Sequence, residues 1–159
     1  LGPMANQTQF AKVMGILKDA ANDGVKPILG GPEPEPNGES GYYIQPTIFA
    51  GLSQDHMLAK EEIFGPVLVV IPYKDIEEAI AIANDTQYGL SSYVYASTEH
   101  MAENISRRMK SGMVHINGAP LVAKAPFGGY KQSGNGREWG RYGIYEFLEV
   151  KAVMKVSQC

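Results

Sequence analysis

The chain has 159 residues, 44% hydrophobic and 19% charged, with a formal net charge of −3 and one cysteine, Cys159. A chain of this length buries roughly 70% of its unfolded surface, so its core needs no metal or disulfide, and a lone thiol excludes a disulfide scaffold. The small net charge argues against a protein built to coat nucleic acid, and the longest apolar run, residues 67–71, is far too short to span a membrane. No secretory leader pattern opens the chain, so a cytoplasmic location is expected.

In chain order, Phe10, Val13, Met14, Leu17, Ala20 and Ala21 recur at spacings of three and four. That periodicity predicts an amphipathic helix over 8–23, with Gly24 as its left-handed cap. The glycine- and proline-rich stretch 30–41 cannot join a helix or central strand and reads as an extended surface loop. Residues 42–49 are rich in aromatic and β-branched side chains and predict a strand near an edge, interrupted by Pro46. The run 67–71 predicts a second strand. Asp75 and Glu78 have capping-box spacing ahead of a helix carrying Ile76, Ala79, Ile80 and Ala83.

A strand is expected at 92–95, then a helix capped by Ser97 with Met101, Ile105 and Met109 on its apolar stripe. Gly112 is expected to end that helix before a strand at 113–116. This alternation predicts an α/β fold of βαβ units with a largely parallel sheet, and right-handed crossovers would put both helices on one face. A glycine-rich stretch at 125–145 follows, with a short helix expected after a cap pair of Asn135 and Glu138. Leu148, Val150, Ala152, Met154 and Val156 then alternate with other residues, predicting a terminal strand with one apolar face. No linker or internal repeat divides the chain.

A self-sufficient active site is absent from this pattern. His56, His100 and His115 lack metal-ligand spacing, and no metal is expected; His100 reads as exposed and His115 as packed. Cys159, at a terminus, is poorly placed for a nucleophile that needs a fixed base and oxyanion donors. The glycines at 134–140 fail as a dinucleotide loop, because the third comes one residue late and no strand leads into them. Residues 107–151 carry eight Lys/Arg against Glu138, Glu146 and Glu149, a diffuse surplus that suits a solvated or phosphate-facing surface.

Two segments call for more. In Lys60-Glu61-Glu62-Ile63-Phe64-Gly65-Pro66 a turn ahead of a strand can present Glu62 and Phe64. A carboxylate there can accept hydrogen bonds from the vicinal hydroxyls of a ribose, beside a ring that can lie on a flat heteroaromatic. The plainer alternative is a charged turn with a buried Phe. In 125–134, two glycines after Phe127 allow a tight bend that would hold its ring at a pocket wall.

Together these segments resemble the C-terminal part of an NAD(P)-dependent aldehyde dehydrogenase. The likeness is carried by Leu1-Gly2-Pro3 with Gln9-Phe10, by 41–47, by Lys60 to Val67, by Asn84 with Tyr88-Gly89-Leu90, and by Gly112 with Asn117. It continues through Pro126 to Lys131, Ser133-Gly134, Gly136-Arg137-Glu138 and Glu149-Val150-Lys151. The resemblance implies that Glu62 binds the nicotinamide ribose, that Phe64 lies beside the nicotinamide and that Phe127 lines the aldehyde pocket. Family enzymes form a thiohemiacetal on a cysteine, pass hydride to NAD or NADP, and hydrolyse the thioester with a glutamate base.

The resemblance places that cysteine, the base, the oxyanion asparagine and the dinucleotide fold upstream of Leu1. It therefore implies a partial catalytic domain at 1–145 and a terminal oligomerisation strand and tail at 146–159. A chain inactive alone is expected, with no tightly bound cofactor and no catalytic residue of its own. The expected partners are an aldehyde in the full-length enzyme and further copies of the chain through 146–156, with neither nucleic acid nor membrane. The alternative is a free-standing, non-enzymatic α/β interaction module.

Overall fold

The computed structural model describes residues 1–33 and 41–156. Cys159 and the centre of the proline-rich loop lie outside the described residues. The architecture is mixed α/β, with short parallel sheets and helices. It divides into two compact units, Leu1–Ala79 and Ile80–Cys159. The sequence shows no linker because the division falls inside a helix, α3 (Ile76–Asn84).

In the first unit, α1 (Gln7–Asn22) starts where Asn6 accepts a hydrogen bond from the Gln9 amide at 2.9 Å. It stops at Gly24, whose φ of 80° carries the chain out of the helix while the Val25 amide donates to Ala20 O at 2.9 Å. The predicted stripe is the core: Val13, Met14, Leu17 and Ala20 pack with Ile44, Phe49, Leu58 and Ile63.

β1 (Thr47–Ala50) and β2 (Val67–Val70) pair in parallel, Thr47 opposite Val67, joined through the one-turn α2 (Met57–Lys60). The strand expected at 42–49 is shorter and starts after Pro46, which has no N–H to give to a ladder. His56 caps α2, its Nδ1 accepting from the Leu58 amide at 3.1 Å. The capping pair before α3 forms: Asp75 Oδ1 accepts from the Glu78 amide at 2.9 Å, and Glu78 Oε2 accepts from the Lys74 amide at 2.7 Å.

In the second unit, β3 (Ser91–Val94) and β4 (Met113–Ile116) pair in parallel, and α4 (Glu99–Ser106) packs on both. The N-cap of α4 is Thr98, one residue beyond the expected Ser97; its hydroxyl accepts from the Met101 amide at 3.2 Å. The helix ends at Arg107, well before Gly112. Each unit thus holds one parallel strand pair joined through a helix, β1–α2–β2 and β3–α4–β4, in line with the expected βαβ units.

α5 (Gly140–Tyr145) is entered from Trp139, whose φ of 62° makes the turn, and no side chain caps it. The expected cap pair does not form, since Glu138 is instead bridged to Phe127. The tail also departs from expectation. Residues 149–156 carry no strand, and Val150, Val153, Met154 and Val156 are 97%, 82%, 88% and 92% exposed. Alternation alone makes no strand, because a ladder needs a partner.

Candidate functional site

The turn after α2 is built by α1. Gln9, Lys12 and Val13 lie on one face of that helix and meet successive residues of the turn. Lys12 Nζ donates to Glu62 O at 3.3 Å, while Gln9 Nε2 donates to Ile63 O at 3.1 Å and Phe64 O at 3.0 Å. The Ile63 side chain points the other way, into the core. Val13 presses on Gly65 so closely that a Cβ there would lie 2.9 Å from Val13 Cγ2.

The outcome is a braced turn with two side chains facing outward. Phe64 is 72% exposed at a left-handed φ of 59°, which overturns the alternative of a buried Phe. Glu62 is exposed, and its carboxylate accepts no hydrogen bond from protein among the described residues. Both line an open pocket of about 390 Å³ together with Leu58, Val67, Val69 and Ile71. An unengaged carboxylate beside a presented flat ring fits the diol and heteroaromatic ring of a nucleotide cofactor.

Phe127 belongs to the second unit. Its amide donates to Glu138 O and its carbonyl accepts from the Glu138 amide, both at 2.7 Å. The ring packs tilted on Trp139 with centroids 5.1 Å apart. Gly128 follows with φ 154°, and Arg137 donates to Gly129 O at 3.0 Å and stacks over Tyr130. Phe127 is half-buried and lines a cavity of about 750 Å³ with Leu90, Trp139, Ile144 and Phe147. The structure thus brings Glu62 and Phe64 together in one cavity and sets Phe127 in another.

The basic surplus is partly structural. Lys131 Nζ donates to Asn84 O and Thr86 O at 2.9 and 2.8 Å, capping the end of α3, so it faces carbonyls instead of a phosphate. His115 is buried and stacked on Tyr93 with centroids 4.7 Å apart, its Nδ1 bonded to Ala119 O; His100 is exposed in the first turn of α4. No cluster of three metal-ligating side chains occurs among the described residues, and none of their helices is long and apolar enough to cross a membrane. Sequence reasoning gave Gln9 and Lys12 no role; the signal was two donor side chains, three apart, on the turn of helix that leads to the buried Val13.

The Aldehyde dehydrogenase family model matches residues 1–153. The chain is 52% identical over 154 residues to a 3-succinoylsemialdehyde-pyridine dehydrogenase of a Pseudomonas species, covering 97% of this chain and 32% of the relative. A putative aldehyde dehydrogenase of Staphylococcus saprophyticus is 46% identical over 96% of the chain. A solved aldehyde dehydrogenase C variant from Pseudomonas syringae, complexed with NAD+ and octanal, superposes with a TM-score of 0.92 at 45% identity, over 96% of this chain and 32% of its own. A Mycobacterium tuberculosis aldehyde dehydrogenase complexed with NAD+ gives 0.86 at 40% identity, over 92% of this chain and 30% of its own.

The turn at 62–64 thus presents a ring and a carboxylate side by side on a mixed α/β scaffold. The chain belongs to the aldehyde dehydrogenase family, and it spans about a third of the length of the relatives it matches.

Proposed function

We propose that this chain is the C-terminal part of an aldehyde dehydrogenase that oxidises aldehydes to carboxylic acids with NAD or NADP, and that it is inactive alone. The observation that carries the reading is the turn at 62–64, where Phe64 stands 72% exposed in left-handed backbone beside an unengaged Glu62. Among the described residues neither the left-handed backbone nor the exposed ring serves the core, which suits a ligand-facing role. Bound there, a nicotinamide cofactor supplies the hydride acceptor for aldehyde oxidation.

The chain's own contributions are positional. Glu62 accepts hydrogen bonds from the ribose hydroxyls, Phe64 gives the nicotinamide a flat apolar neighbour, and Phe127, pinned by Glu138 and Trp139, forms a wall of the aldehyde pocket. The family's nucleophilic cysteine has no counterpart here, since the only thiol is Cys159. The partial coverage of relatives supports a piece of a longer enzyme, and the resemblance of the motifs is what puts it at the C-terminal end. A cytoplasmic, oligomeric enzyme fits this reading.

The test is a chimera in which this chain replaces the matching segment of the 52%-identical Pseudomonas dehydrogenase, compared with the chain alone. Cofactor reduction is expected from the chimera and not from the isolated chain, because removing a nucleophile costs many orders of magnitude in rate. A folded but inactive chimera, or turnover by the isolated chain that survives Cys159→Ser, overturns the proposal.

A further inference from the structure

Successive carbonyls at Glu62, Ile63 and Phe64 are all held by side chains of one helix. Most turns satisfy such groups with water or neighbouring backbone. Here Gln9 Nε2 reaches two of them, at 3.1 and 3.0 Å, across more than fifty residues of sequence. Both partners are acceptors, so only the NH2 end of the amide can face them, one hydrogen to each. The two bonded carbonyls belong to the peptide planes on either side of the Phe64 Cα, so holding both restrains the backbone at the φ of 59° that throws the ring outward.

We infer that Gln9 is a positioning residue for the reaction: its amide locks the left-handed backbone at Phe64 and thereby sets the outward aim of the Phe64 ring and the Glu62 carboxylate. The inference rests on the reading of those two side chains as nicotinamide-side contacts. Three features support a dedicated brace. Gln9 is half-buried, and both hydrogens of its amide are used on the turn. Lys12, one turn on, holds the preceding carbonyl through the same face of α1. Val13 fills the space against Gly65, so the turn cannot relax toward the helix.

Gln9→Glu keeps the shape and removes both donors, setting a carboxylate against two carbonyl oxygens. Gln9→Met keeps the length and removes the charge problem, and serves where the first variant does not fold. In the 159-residue chain, the Phe64 Cα and Cβ chemical shifts report the left-handed backbone without any cofactor. Both variants are expected to lose that signature, while the shifts of the α1 core stay in place. Unchanged Phe64 shifts in both overturn the brace.

In the full-length dehydrogenase carrying this chain, Gln9→Glu is expected to slow single-turnover hydride transfer about tenfold or more, while the cofactor dissociation constant moves less than about threefold. A merely structural residue would not separate the two. If Glu62→Gln slows transfer and neither Gln9 variant does, this inference falls and the site reading stands. If Glu62→Gln is silent as well, the site reading falls and takes the inference with it.

Discussion

At Phe64 an L-residue is held in left-handed backbone, which costs about 1–3 kcal/mol, and its ring is given to solvent instead of the core. Neither choice helps the fold. Glu62, two residues earlier, contributes no ion pair or side-chain hydrogen bond among the described residues, so removing its charge leaves stability nearly untouched. In the full-length enzyme, Glu62→Gln is therefore expected to slow hydride transfer about a hundredfold with little change in unfolding midpoint, because misplacing a reacting ring is a rate effect. An unchanged single-turnover rate would remove Glu62 from the site. The residue types were legible in the sequence, since a carboxylate and a ring two apart in a turn suggest a diol and a flat ligand. Their exposure was not, because it is decided by Gln9, whose carbonyl partners lie more than fifty residues away.

Among the elements, the second unit converges on small residues. The Gly89 carbonyl accepts from the Gly112 amide at 2.9 Å and from the Tyr130 amide at 2.8 Å, joining the start of β4 to the loop that carries Phe127. A Cβ on Gly112 would overlap the Gly128 carbonyl oxygen, which is backbone and cannot swing aside. Gly112→Ala is expected to cost about 1–3 kcal/mol by overpacking, and to disturb the Phe127 loop more than α4. Gly15→Ala, in α1 with nothing within 4 Å, is the control and is expected to gain about 0.5–1 kcal/mol. Urea midpoints that move alike for the two would refute the close-approach account. The sequence placed a glycine at 112 and read it as a helix stop. Its use as a contact point depends on a loop sixteen residues further on, and no local pattern carries that.

Over the whole molecule, apolar surface is left without cover. On β2, a continuous apolar run, Leu68 and Val70 are 56% and 45% exposed. In the tail, Phe147, Val150, Met154 and Val156 are each at least 87% exposed. Such surface favours association. The chain is expected to sediment as a dimer or larger species that breaks up on deleting 146–159. A monomer at high micromolar concentration, unchanged by that deletion, would reject the tail as an oligomerisation element.

What the sequence determined by itself is what depends on neighbours along the chain. The stripe of α1, its Gly24 exit, the Asp75–Glu78 cap and the strands at 67–70 and 113–116 all follow from periodicity and capping chemistry within a few residues. The motif series from Leu1 to Lys151 also sufficed to point to the family. Tertiary structure alone decided the rest. It paired β1 with β2 and β3 with β4, brought Gly112 against the loop at 128, and clamped the turn at 62–64 from α1. Each of these turns on a hydrogen-bond partner distant in sequence, and a side chain's pattern can advertise a need for such a partner without naming it.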